Sequence, residues 1–192
     1  MNSLDSRIPD TQKLLDIYRT CIWSLSDSAQ NIKDILIDSC LNTLIESPQK
    51  LSVNELFKAI LDYDVAISGK PAEWKMKSFS KTYRFIQMID NALIKLHAFP
   101  VYGDKYFNIL YELYFNTNSS VKPNVDSVMD KLNYYDTKVF YSYRKKAIRL
   151  FNSILWDSYQ SDLQDFMPIA DKFSSSFGWI SQNALEYNRY KV

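Results

Sequence analysis

The sequence predicts an all-α protein, a multi-helix bundle with a helix-turn-helix element toward its C-terminal end. Its 192 residues include three glycines, too few for the turns of a β-barrel or for Gly-rich phosphate loops. Apolar residues recur at intervals of three and four, and no segment alternates with the strong period of two that marks a strand. Helix-capping residues precede several of these apolar runs.

Composition places the chain among soluble globular proteins. Apolar residues make up 46% of the chain and charged residues 23%, and the length is sufficient for a substantial core. No run approaches the roughly 20 apolar residues of a membrane span, and the N-terminus lacks a signal-peptide pattern. Cys21 and Cys40 occupy helix-like apolar positions, which indicates buried, reduced thiols. We therefore expect a cytoplasmic protein without membrane contact.

Residues 1–66 are predicted to form a helical subdomain for oligomerisation or partner contact. Asp10 or Thr11 is a candidate cap for its first helix. Ser52 and Glu55 match a capping box, in which each residue satisfies a backbone N–H of the other. The predicted elements are a disordered lead-in 1–9 and helices 10–25, 27–45 and 52–65.

The clearest break in the sequence is Ser68-Gly69-Lys70-Pro71, because Gly and Pro interrupt regular structure. It coincides with a change of charge: residues 1–69 carry a net −4, residues 70–156 a net +7 and residues 157–192 a net −2. The total of +1 conceals this basic middle region. We predict a DNA-binding domain at 70–160 and a C-terminal tail of unknown role at 161–192.

Within residues 70–160 the pattern predicts several helices. Asn124 is a candidate cap for a short helix, and Asp136 or Thr137 for a long one. Beyond residue 156, Ser174–Ser176 is predicted to be a turn or mobile loop. The predicted helices span 72–97, 104–115, 125–132 and 137–156, with a tight connection at 133–136 and a weak last helix at 180–187.

The segment 137–156 is the most informative part of the chain, since it contains five basic residues and no acidic one. One face of the predicted helix carries an apolar stripe: Phe140, Tyr143, Ala147, Phe151 and Ile154. Another face carries Lys138, Ser142, Lys145 and Arg149 at the same helical spacing. Solvated helix faces usually alternate in sign, because like charges at this spacing repel each other. The pattern therefore favours an anionic partner, with double-stranded DNA as the first candidate.

A short helix, a tight turn and a longer basic helix are typical of the helix-turn-helix motif, whose second helix enters the major groove. The outward residues at the start of the second helix are candidates for reading base edges: Thr137, Lys138, Tyr141, Ser142 and Lys145. Tyr134 and Tyr135 in the turn are candidates for contact with phosphate or a thymine methyl group. Arg144, Lys146 and Arg149 lie farther along the helix, where neutralisation of phosphates is expected.

The segment Val125-Asp-Ser-Val-Met-Asp-Lys-Leu132, followed by Tyr141-Ser-Tyr-Arg-Lys-Lys-Ala-Ile148, resembles sigma-70 region 4 domains. More specifically, it is similar to the ArpU-type transcriptional regulators of phages. The resemblance covers about residues 103–156, with a longer Leu132-to-Ala147 spacing and Met129 where the family usually has a small residue. It implies a regulator of late or structural operons and makes RNA polymerase a candidate partner.

Two other functions remain open at this stage. One is a helical phage or host factor whose basic face meets an acidic protein. The other is an RNA-binding protein whose tyrosines stack on unpaired bases. Catalysis, a metal and a cofactor are not expected, since the chain has a single histidine, His97, and no Cys or His set of metal-ligand spacing. The second copy of a homo-oligomer is a further candidate partner.

Overall fold

The computed structural model describes residues 5–38, 52–55, 58, 73–116 and 123–189, with side chains for 5–29, 52–55, 58, 77–116 and 123–175. These ranges contain helices and no strand, which confirms the predicted all-α class. No helix in them has the length and apolar character needed to cross a membrane. A 3₁₀ turn, Asp5–Arg7, precedes α1 (Ile8–Asp38), α2 (Glu73–His97), α3 (Gly103–Leu110) with a π-helical segment (Tyr111–Phe115), α4 (Val125–Lys131) and α5 (Thr137–Arg189).

The chain divides into two compact units, residues 21–86 and a main unit of residues 1–20 and 87–192. In the first of these, Ser52 and Glu55 form the predicted capping box: the Glu55 carboxylate accepts the Ser52 N–H at 2.8 Å, and Ser52 Oγ accepts the Glu55 N–H at 3.3 Å. Cys21 is a buried free cysteine, as predicted, and burial raises the pKa of its thiol to about 12. Cys40 and the predicted border at 68–71 lie outside the described residues.

α1 is continuous from Ile8 to Asp38, so the predicted break after Leu25 is wrong. No Gly or Pro separates Leu25 from Ala29, and both are buried, which continues the apolar face at helical spacing. The predicted disordered lead-in is also wrong for residues 5–9. Pro9 lies in the first turn of α1, where its missing N–H leaves no hydrogen bond unmade.

The core of the main unit is formed by one face of each helix. α4 adds the buried Val128 and Met129 to it. Large side chains that are fully buried come from α1, α2, α3 and α5: Leu14, Leu15, Ile89, Leu96, Ile109, Phe140 and Phe151. This core holds the N-terminal half of α5 against its neighbours and thereby determines which of its side chains face solvent.

Thr11 was one of the two predicted caps of α1. It does not cap the helix but lies inside the core. Its hydroxyl donates to Asn152 Oδ1 at 2.7 Å and accepts the indole N–H of Trp156 at 2.8 Å. All three side chains are almost fully buried. Because buried polar groups are costly without partners, this network fixes the register of α1 against α5.

α4 and the following turn have the predicted form. The Asn124 side chain accepts the Asp126 N–H at 3.3 Å and caps α4. Asn133 adopts a left-handed conformation with φ 57°, which Asn tolerates better than most residues. The Tyr134 N–H then donates to the Met129 carbonyl at 2.8 Å, which closes the turn.

α5 continues far beyond Trp156, so the predicted loop at Ser174–Ser176 and a separate last helix at 180–187 are wrong. The backbone of Tyr159 is not helical, with φ −138°, so α5 consists of two helical segments that meet there, and the second contains Pro168. Leu163, Phe166 and Ala170 are buried at helical spacing and extend the core of the main unit. The first part of the predicted C-terminal tail, which contains these three residues, therefore contributes to the core.

Candidate nucleic-acid interface

The start of α5 is fixed by Asp136, one of the two predicted caps. Its carboxylate accepts the backbone N–H groups of Lys138 at 2.8 Å and Val139 at 3.2 Å. Thr137 and Lys138 therefore occupy the first turn, where the unpaired N–H groups and the helix dipole add positive potential.

One surface of α5, hereafter the basic face, consists of Lys138, Ser142, Lys145, Lys146 and Arg149. All five residues are exposed, and the segment 137–156 that carries them has no acidic residue. At 1.5 Å per residue the face extends about 16 Å from Lys138 to Arg149. Its opposite side is the core, because Phe140, Ala147 and Phe151 are fully buried. Tyr143 and Ile154, the other members of the predicted stripe, are half-buried.

The two predicted tyrosine contacts differ in their surroundings. Tyr135 is 94% exposed at the end of the turn that precedes α5. Tyr134, by contrast, is half-buried, with its ring 5.3 Å from that of Phe140. Burial raises the pKa of its phenol. Tyr141 is 46% exposed and lies beside Arg144, whose guanidinium is 5.9 Å from the ring centre.

Arg144 is separated from the other predicted cations by its internal contacts. Its Nη2 donates to the hydroxyl of Tyr114 in the π segment at 2.7 Å, and its side chain is half-buried. In the part of the chain that the structure describes, its Nε is buried without a hydrogen-bond partner. These contacts tie α5 to the π segment, so Arg144 positions the helix and lies apart from the basic face.

α4, the short helix before the turn, carries little free positive charge. The Lys131 ammonium lies 2.8 Å from the Glu112 carboxylate. Burial opposes the ionisation of Glu112, but hydrogen bonds from Lys131 and Asn116 outweigh it and lower the pKa of the carboxyl. Asp126 and Asp130 are exposed on the same helix. Since α4 adds no unpaired cation, α5 is the element of this helix pair that attracts phosphate.

A cluster of tyrosines beside the basic face was not identified from the sequence. The rings of Tyr102, Tyr106 and Tyr143 lie 5.8 to 6.3 Å apart. The Lys105 ammonium is 4.6 Å from the centre of the Tyr143 ring, and that of Lys146 is 5.7 Å away. Burial, together with the neighbouring tyrosines, raises the pKa of Tyr106. Tyr102, Lys105 and Tyr106 are neighbours in the sequence, but only the fold brings Tyr143 and Lys146 to them, so no local sequence signal indicates the cluster.

Arg149 lies between two surface grooves. One, with a volume of about 360 Å³, is also lined by Tyr141, Lys145 and the inner cation Arg144. The other is bounded by the loop before α3 and contains Lys146. Arg149 Nε is 3.9 Å from a carboxylate oxygen of Asp5, and both side chains are about half exposed. The Asp5 carboxylate thus offsets part of the charge at this end of the basic face.

The single histidine, His97, lies beside a carboxylate of α3. The exposed His97 has Nε2 2.9 Å from Asp104 Oδ1, and its ring packs against Phe107 with 4.4 Å between centres. Within the described residues, no three His, Cys, Asp or Glu side chains are arranged to hold a metal ion.

Comparison with known proteins gives no match. No family model fits the chain, and neither a curated protein nor a solved structure is significantly similar to it.

Proposed function

We propose that this chain is a DNA-binding transcriptional regulator that contacts duplex DNA through residues 137–149. The observation that carries the proposal is the basic face, where four exposed cations extend over about three turns of one helix without an acidic residue among them. Such a helix fits the width of the major groove, and its charge releases counterions from DNA.

In the proposed complex, α4, residues 133–136 and α5 act as a helix-turn-helix of the sigma region 4 kind. Thr137, Lys138, Tyr141, Ser142 and Lys145 meet base edges at the N-terminal end of α5, while Lys146 and Arg149 meet phosphates. Tyr135 contacts the backbone or a thymine methyl group. Arg144, which the sequence assigned to phosphate contact, instead positions α5, because its guanidinium donates a hydrogen bond to the Tyr114 hydroxyl. The regulatory role itself rests on the sequence resemblance.

The test is binding of a fluorescent random-sequence duplex across a salt series, followed by sequencing of the bound pool. We expect salt-sensitive binding with an enriched sequence. Lys138→Ala with Lys145→Ala should weaken binding to the enriched site at least about thirtyfold, since each base contact contributes about 1–3 kcal/mol. Base preference should relax while helicity stays unchanged.

The matched control is Lys58→Ala with Lys172→Ala, which removes the same charge from two other exposed positions. Equal binding by the wild type and the Lys138/Lys145 variant would overturn the proposal. A salt slope near zero without enrichment would instead indicate an acidic protein partner. Tighter binding of single-stranded RNA than of duplex DNA would favour the RNA-binding alternative.

A further inference from the structure

The second groove beside Arg149 has an apolar lining that duplex binding does not use. This loop groove has a volume of about 500 Å³ and runs between the segment 98–102 and α5. Its apolar lining includes Phe99, Val101, Tyr102 and Leu150. The volume is within the range of about 300–1,000 Å³ that is usual for binding pockets.

The loop presents these apolar side chains on a constrained backbone. A Cβ on Gly103 would lie 2.6 Å from the His97 carbonyl oxygen, so only glycine allows this close approach between α2 and α3. Tyr102 is held in the left-handed conformation with φ 62°, a strain found mainly where the surroundings impose it. Val101 and Tyr102 nevertheless remain 57% and 53% exposed.

The rim of the loop groove is cationic. Lys146 and Arg149 line it directly, and the Lys105 ammonium lies 5.6 Å from the centre of the Tyr102 ring. None of the residues that line it is acidic, and an Asp5 carboxylate oxygen lies 3.9 Å from Arg149 Nε. An apolar floor with a positive rim complements a ligand that carries both apolar side chains and carboxylates.

We propose that the loop groove binds an acidic, amphipathic segment of a partner protein. Apolar side chains of the segment pack on Val101, Tyr102 and Leu150, and its carboxylates pair with Lys146 and Arg149. Aliphatic Val101 and Leu150 suit leucine-like side chains of such a segment, and the rings of Phe99 and Tyr102 suit its aromatic ones. The proposal goes beyond DNA binding, since the apolar half of the site lies on a loop outside the basic face.

The probe is a fluorescein-labelled peptide that alternates glutamate with leucine and phenylalanine, and its binding is followed by anisotropy. A second peptide of the same charge has serine at every apolar position. We expect the full chain to bind the first peptide and to bind the second at least about tenfold more weakly.

Val101→Ser with Tyr102→Asn should weaken binding of the amphipathic peptide at least about tenfold. Asn suits the left-handed backbone at position 102, so the ring is removed without added strain. Ile94→Ser is the matched control, because Ile94 is 64% exposed and lies outside the groove. Circular dichroism and the unfolding midpoint show whether each variant is folded.

Equal binding of both peptides, or undiminished binding by the folded Val101/Tyr102 variant, would overturn the proposal. The proposal would also be overturned if the Val101/Tyr102 variant lost affinity for a single-stranded oligonucleotide but kept its affinity for the peptide. The occupant of the groove would then be nucleic acid. Duplex binding separates the two proposals: it should fall in the Lys138/Lys145 variant and stay unchanged in the Val101/Tyr102 variant. Peptide binding should show the reverse pattern.

Discussion

The two halves of α5, helical segments that meet at Tyr159, differ in charge. Residues 137–156 contain five basic and no acidic residues, whereas residues 157–175 contain four acidic residues and one basic residue. The kink at Tyr159 lies close to the boundary. In both halves the described charged residues are mostly exposed, so the contrast is a property of the surface.

The core does not explain this contrast, because both halves contribute to it in the same way. Phe151 and Leu155 from the first half are fully buried, as are Leu163 and Ala170 from the second. A helix can satisfy its core with either sign of surface charge. The core therefore does not impose the absence of carboxylates from 137–156, and the proposed contact with an anion would favour it.

The two halves also differ in how they are attached to α1. The first half is joined through the buried hydrogen bonds of Thr11 with Asn152 and Trp156. The second half is joined through Lys13 and Asp171, which form an ion pair at the exposed surface. Buried hydrogen bonds resist competition from water, so the basic half should be the more firmly positioned of the two.

The largest expected effects test whether both halves share one core. Phe151→Ala should lower the free energy of unfolding by about 3–5 kcal/mol and Leu163→Ala by about 2–5 kcal/mol, through lost burial and the cavity left behind. Urea unfolding followed by circular dichroism measures both. A change well below about 1 kcal/mol for Leu163→Ala would mean that the second half is not part of the core.

The attachment of the first half is tested by Thr11→Val, which keeps the shape of the side chain and removes its hydroxyl. The indole N–H of Trp156 and Asn152 Oδ1 would each lose the hydrogen bond with Thr11, and we expect a loss of about 1–3 kcal/mol in unfolding free energy. Thr11→Ser retains the hydroxyl and serves as the control. If both variants lost the same stability, the hydrogen bonds would not be responsible.

The functional contrast between the halves is tested by Arg149→Ala and Lys172→Ala, each of which removes one exposed cation. Arg149→Ala should weaken binding to all duplex sequences alike and reduce the log–log salt slope by about one. Lys172→Ala, in the acidic half, should leave the slope unchanged. A loss confined to one base position for Arg149→Ala would contradict its assignment to phosphate.

The smallest effect is expected for Asp171→Asn in the second half. The hydrogen bond that the Lys13 ammonium donates to the Asp171 carboxylate raises the pKa of Lys13 above its ordinary value of 10.5. The stabilisation of the folded state by the Lys13–Asp171 pair is therefore complete below pH 10.5. It is lost as the pH rises through the raised pKa of Lys13. Wild type and variant should differ slightly in unfolding midpoint at pH 7, and the difference should vanish in 1 M salt. A difference that persists in salt would indicate that the pair is not an ordinary surface ion pair.

The sequence was sufficient for the elements that carry local signals. Asn124 and Asp136 cap their helices through side-chain hydrogen bonds to nearby backbone N–H groups, and such contacts can be read from neighbouring residues. The same holds for the capping box of Ser52 and Glu55. The exposed positions of the basic face follow equally from helical spacing.

The errors arose where distant contacts outweigh local preference. Serines at 174–176 favour a turn, yet the helix continues there beyond the buried Ala170. Arg144 has the spacing of a surface cation, but its partner Tyr114 lies 30 residues away in the sequence. Helical periodicity cannot reveal such a partner. The tyrosine cluster beside Lys105 was missed for the same reason.

The position of Trp156 gives the main unit a natural optical reporter. Its indole is 2% exposed, bonded to Thr11 and covered by the Arg7 guanidinium at 4.7 Å. If the other three tryptophans, Trp23, Trp74 and Trp179, are replaced by phenylalanine, all remaining indole emission comes from the junction of α1 and α5. Separation of the two helices would expose the indole ring to water and shift its emission to longer wavelengths. The packing of the basic half of α5 against α1 can therefore be followed in real time by the intrinsic fluorescence of Trp156, with no attached dye.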